Sequence, residues 1–131
     1  MDDSVDFKTL GGALGRDPHI AVILADAGGH IRFWNTGAAA LFGHSADEAA
    51  RHRVDLVVPE PYREMHWTGF NRTIGSTWGG ADGWGAIEGL HKSGTLVPLE
   101  VLLTPMRDAD GRVEMVFAMF RRPTMLSGTA A

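Results

Sequence analysis

The segment from Thr95 to Arg121 constrains the fold most. From Thr95 to Met106 the residues alternate, placing Val97, Leu99, Val101 and Leu103 on one face of a long strand. Asp108 to Gly111 carries a hairpin-turn signature, and Arg112 to Arg121 reads as the returning strand. In that last strand Val113, Met115, Phe117 and Met119 stand opposite Glu114, Val116, Ala118 and Phe120. Val116 and Phe120 are expected on a partly apolar outer face that suits a partner. A long hairpin with one apolar face has to be covered by another layer.

The rest of the chain supplies that layer. Val5, Phe7, Leu10 and Leu14 recur at helical spacing, so residues 1–18 read as an N-terminal helix or capping segment. His19 to Ala25 is a β-prone run, Asp26 to Gly29 a tight turn, and His30 to Trp34 the second strand of a hairpin. Asn35 is placed to cap a helix through Ala38 to Leu41, which Gly43 closes. Ser45 with Glu48 three residues on is a capping-box signature for another short helix. Trp84 to His91 reads as a strand weakened by Gly85 and Gly89, followed by a turn at Lys92–Gly94. Hairpins on either side of a run of helices imply an α+β domain. Residues 19–122 form it, and 123–131 read as a flexible tail or linker.

The stretch from Asp55 to Ile74 carries the most specific chemistry. Pro61 is suited to the first position of a helix, with Glu60 and Glu64 near its start, Arg72 near its end and Gly75 after it. Tyr62, His66, Phe70 and Thr73 share one face, and Gly69 beside it admits close approach of a flat group. A cavity is expected between this helix and the face of Leu99, Val101 and Leu103.

Composition excludes several classes. Hydrophobic content of 44%, charged content of 21% and 131 residues suit one globular domain with a moderate core. A formal charge of −4 gives no support to nucleic-acid binding. The sequence holds no cysteine, which removes disulfides, thiolate metal sites, iron–sulfur clusters and a cysteine nucleophile. It has no apolar run long enough to span a bilayer and no signal-peptide pattern, so a cytoplasmic setting without membrane contact is expected. The other histidines show no metal-ligand spacing and no hydrolase triad is legible, so no enzyme is expected.

The order of elements, with these landmarks, resembles a PAS domain over about residues 19–122. The matching stretches are DAGGHIRFWNTGAAALFGHSADEA, VVPEPYREMH and HKSGTLVPLEVLLTPMRDADGRVEMVFAMFRR. The N-x-x-A-x-x-x-F/L-G signature is met by Asn35, Ala38, Phe42 and Gly43. The K-S/D-G-x-x-x-P-x-E turn is met by Lys92, Ser93, Gly94, Pro98 and Glu100. This resemblance implies a five-stranded antiparallel sheet with helices packed on one face. It also implies a sensory and dimerisation module that acts on an output domain or partner signalling protein, as a homodimer.

Within that family, PEPYREMH resembles the haem-binding PAS domains of FixL-type oxygen sensors. The resemblance implies haem b as cofactor, with His66 as the axial iron ligand and Arg72 pairing a haem propionate. Leu99, Val101 and Leu103 would line the gas side, and Tyr62, Gly69 and Phe70 would complete the cofactor site. A diatomic gas or redox state would be the signal. The chain departs from that pattern at Gly85, where those sensors carry an arginine that hydrogen-bonds oxygen. The departure implies a preference for CO or NO, with Trp78, Trp84 or His91 as other residues for the distal side. The alternative reading is a PAS domain without haem, binding a small organic ligand or none, and acting by dimerisation and relay. Cysteine-dependent flavin adducts of LOV-type domains are excluded by composition.

Overall fold

The computed structural model describes residues 7–75 and 83–123. Val5, Trp78 with the rest of the expected loop at 76–82, and the expected tail at 124–131 lie outside the described residues. In chain order the elements are helix α1 (Phe7–Arg16), strands β1 (Ala21–Asp26) and β2 (Ile31–Trp34), and helices α2 (Thr36–Phe42) and α3 (Ala46–Ala49). Two 3-10 turns follow, Val54–Val57 and Glu60–Tyr62, then helix α4 (Arg63–Ile74). Strands β3 (Gly85–Leu90), β4 (Leu96–Arg107) and β5 (Val113–Arg121) complete the described residues. The five strands form one antiparallel sheet in the order β2-β1-β5-β4-β3. The first strand therefore pairs with the last, and the intervening helices are held over the sheet by both hairpins.

Local chemistry explains why the first helices begin and end where they do. Asn35 caps α2, its Oδ1 accepting from Ala38 N–H at 2.8 Å. The same oxygen accepts from Val22 N–H at 2.8 Å, while Nδ2 donates to Leu14 O at 2.7 Å and Ile20 O at 2.8 Å. One buried amide thus ties the end of α1, the entry to β1 and the start of α2 together. Gly43, at φ +83°, closes α2. Ser45 and Glu48 exchange both bonds of a capping box at the head of α3.

The core lies between α2 and the sheet. Phe42 is fully buried, edge-on to Phe120 with ring centroids 5.3 Å apart, and 5.7 Å from Trp34. Gly89 looks like a weak point in a strand, and the packing supplies its reason. A Cβ there would lie 2.8 Å from Leu99 Cδ1 and 2.9 Å from Phe42 Cε1, so only glycine lets both side chains reach the strand.

Two expectations need correction. Val116 and Phe120 do not face outward: both are buried on the helix-covered side, in register with Ala25 and Ala21 of β1. The outer face instead carries Met115, Phe117 and Met119, half-buried opposite Met106, Thr104 and Leu102. Pro61 does not open the α-helix. It sits within the 3-10 turn Glu60–Tyr62, and α4 begins at Arg63, as the tighter turn often precedes a helix. No helix among the described residues is long and apolar enough to cross a membrane.

Candidate functional site

Helix α4 stands off the sheet. None of its residues is fully buried, yet it carries His66, Gly69, Phe70 and Thr73 on the face toward β4 and β5. The space beneath is a cavity of about 380 Å³, within the usual range for small-molecule sites. Ile87, Val101, Leu103, Val116, Ala118 and Phe120 form its sheet wall, and Ile23 and Ala25 extend that wall onto β1. Val54, Val57 and Val58 close one end. The lining is mostly aliphatic and aromatic, with His66, Thr73 and Glu88 as its polar side chains.

His66 is the centre of an aromatic cluster. Its ring lies 4.9 Å from Trp67 and 6.0 Å from Phe70, and Trp67 meets Phe70 edge-on at 5.4 Å. Among the described residues, His66 Nδ1 is the sole buried side-chain nitrogen or oxygen with no hydrogen-bond partner. Leaving such a group unpaired costs about 1–3 kcal/mol. Burial also lowers the His66 pKa, against a smaller opposing pull from Asp55, so the ring is neutral at neutral pH. A neutral imidazole on the wall of an apolar cavity is suited to a metal ion or to a single polar group on a bound molecule.

A second, more open cleft adjoins the cavity and shares Val58, Met65, His66, Ile87 and Glu88 with it. Its volume is about 660 Å³, and Pro59, Tyr62 and Ala86 complete its walls. Tyr62, Met65 and Ile87, at 46%, 67% and 38% exposure, stand out as large apolar side chains left accessible here. The cleft between α4 and β3 is thus an open apolar mouth leading to His66.

The residues singled out in the sequence divide between these places. His66, Gly69, Phe70, Val101 and Leu103 come together around the cavity. A Cβ on Gly69 would meet nothing within 4 Å, which leaves room against the helix for a flat group. Tyr62 lies at the mouth and outside the inner cavity. Leu99 has the expected facing but packs into the core against Gly89 instead of lining the cavity. Arg72 is exposed and outside the lining. Trp84 lies beneath the Arg121 guanidinium at 3.9 Å, and Arg121 pairs with Glu100 at 2.9 Å. His91 Nδ1 is engaged with Ser93 at 3.0 Å, so neither residue faces the cavity. Sequence reasoning missed Ile23 and Ala25, although the apolar run from His19 to Ala25 held the signal, and missed Ile87, Val116 and Phe120. No group of three or more histidine and acidic residues capable of holding a metal ion occurs among the described residues. A metal at this site would therefore depend on His66 and on a ligand set of its own.

The family model described as the PAS fold matches residues 16–128. The chain belongs to the PAS family. The PAS domain of a protein from Colwellia psychrerythraea superimposes with a TM-score of 0.76 at 24% identity, covering 91% of this chain and 98% of that one. A domain of a sensory box sensor histidine kinase/response regulator from Geobacter sulfurreducens gives 0.67 at 16% identity, covering 88% and 93%. At these identities the likeness is one of fold. A probable serine/threonine-protein kinase of Dictyostelium discoideum is 28% identical over 95 residues. That match takes in 66% of this chain and only 6% of the kinase, so the PAS chain spans a small part of that relative.

Proposed function

We propose that this PAS chain is a non-catalytic sensory module of a cytoplasmic signal-transduction protein. It binds haem b in the cavity under α4 through His66 and responds to a diatomic gas or to redox state. The observation that carries this reading is the His66 imidazole, kept neutral by burial, on the wall of an apolar cavity. Haem, when bound, supplies an iron whose open position takes a gas molecule or whose oxidation state changes. His66 is its ligand from the chain. Gly69 leaves space along the helix for a flat macrocycle, and Phe70 packs beside it. Val101, Leu103 and Ile87 form an apolar wall on the opposite side and offer no side-chain hydrogen-bond donor. That wall favours CO or NO over oxygen, which gains most from a donor. Arg72, exposed near the end of α4, is available to an acidic edge of the cofactor.

A second reading is supported by cavity size. About 380 Å³ suits a small organic molecule, and one hydroxyl or amide would pair with the His66 imidazole. In either case the signal passes to an output domain or partner protein, with no direct nucleic-acid or membrane contact. The half-buried outer face of Phe33, Leu102, Phe117 and Met119 supports a homodimer. Reconstitution with hemin separates the two readings. A sharp Soret band that disappears in His66→Ala supports haem. Absence of the band, together with saturable binding of a small aromatic probe that protects the His66 ring, supports the organic ligand.

A further inference from the structure

The residue after the histidine has a seat of its own. The Trp67 indole lies against Gly29 in the β1–β2 turn: a Cβ on Gly29 would fall 2.5 Å from Trp67 Cη2. Gly29 has φ +84°, so a side chain there is disfavoured on both counts. From another side the Arg53 guanidinium lies over the indole, 3.9 Å from its centroid. Arg53 Nε donates to Gly28 O at 3.0 Å, returning to the same turn. The segment around Arg53 is stitched to that turn by backbone bonds, Val54 N–H to Gly29 O at 2.9 Å and Ile31 N–H to His52 O at 3.1 Å. Turn, arginine and indole form one closed unit.

The rest of α4 borders the cavity. Its start is tied by Arg63 Nε to Val58 O at 3.0 Å, and beyond that the cavity separates it from the sheet. Trp67 thus attaches the helix middle to the β1–β2 turn. The same indole touches His66, whose ring faces the cavity and its mouth.

We infer that Trp67 is a positioning residue that couples His66 to the β1–β2 turn, its indole resting between Gly29 and Arg53. A group that binds His66 displaces the adjacent indole on this seat. The displacement changes the hold of Arg53 on Gly28 and of Val54 on Gly29, and so reaches the start of β2. Coupling of this kind is reciprocal: loosening the turn also alters the His66 environment. The inference rests on the reading of the cavity as a ligand site only for its physiological use, and the coupling itself is present without ligand.

Amide hydrogen exchange resolved by NMR tests it, with Trp67→Leu, Arg53→Gln and the unaltered protein compared without ligand and with hemin. Without ligand, Trp67→Leu should speed exchange at Val54 and Ile31 by about tenfold while the β4–β5 ladder is unchanged, as for a local opening. Arg53→Gln should shift the His66 Cε1–H resonance. With hemin, exchange at the same two amides should change by at least about fivefold in the unaltered protein. Arg53→Gln should lose that response while keeping its Soret titration. Unchanged amides in ligand-free Trp67→Leu, or an unmoved His66 resonance in Arg53→Gln, would overturn the coupling whatever the ligand. A His66-dependent Soret band without any response at Val54 and Ile31 would also overturn it. Failure of hemin to bind would instead count against the haem reading, leaving the ligand-free results to decide the coupling.

Discussion

Asn35→Ala is the most informative single change to the fold. The side chain is 2% exposed and makes short bonds to Val22 N–H, Ala38 N–H, Leu14 O and Ile20 O. Removing a helix cap costs about 0.5–2 kcal/mol, typically about 1. The Val22 N–H is then left buried without an acceptor, at about 1–3 kcal/mol. The Leu14 and Ile20 carbonyls lose a donor, though the partly buried surroundings of both let water replace some of it. With about 1 kcal/mol for the cap, about 2 for the Val22 N–H and about 1 for the two carbonyls, the loss is about 4 kcal/mol, a large share of the 5–15 kcal/mol typical of a domain. With a urea slope of about 2 kcal/mol per M, the unfolding midpoint should fall by about 2 M at unchanged slope. Thr36→Val is the companion, since Thr36 makes one exposed bond to Gly15 O at 2.9 Å and should cost under about 1 kcal/mol. Equal midpoints for the two variants would refute the view that Asn35 joins three elements through buried bonds.

Two further predictions concern protonation. His66 binds its proton more weakly in the folded chain than in the unfolded one, because burial disfavours the charged ring. The unfolded state therefore takes up the extra proton as pH falls through about 6.5, and stability is intact above that value and declines below it. Thermal unfolding between pH 8 and 5 should show this decline, and His66→Phe should flatten part of it; an identical slope in the variant would count against the buried neutral ring. Glu48 is held down to about 2, first by the hydrogen bond from Lys92 at 2.6 Å and then by the Ser45 N–H. Its contribution is present above the ordinary carboxylate range and fades as pH falls toward 2. In Lys92→Met the Glu48 carboxyl, followed by NMR, should titrate at a clearly higher pH; no change would mean that the Lys92 contact is not formed in solution.

Legibility followed the range of the interactions. The Asn35 cap, the Gly43 terminus and the Ser45–Glu48 box depend on bonds within a few residues, and their residue types announce them. The β4 alternation was equally plain, because Val97 and Leu99 enter the core and Val101 and Leu103 continue the same face into the cavity. The facing of β5 was not legible. From Val113 to Phe120 every residue but Glu114 is apolar, so period-two patterning has nothing to choose between. A register shift between Met106 and Arg107 further breaks the parity, leaving Val113 buried alongside Val116. His66 could be found as a lone imidazole on an apolar helical face. Its neighbour Trp67 could not be placed, because its partners Gly29 and Arg53 are brought to it only by the folded chain.

The most direct test is an absorption spectrum of the protein produced with added haem precursor, recorded oxidised, reduced and reduced with CO. If His66 holds haem in the cavity, a Soret band appears, shifts sharply with CO, and is lost in His66→Ala while the fold remains. A protein that stays colourless with hemin, or a band that persists unchanged in His66→Ala, would contradict the assignment of His66 as the ligand.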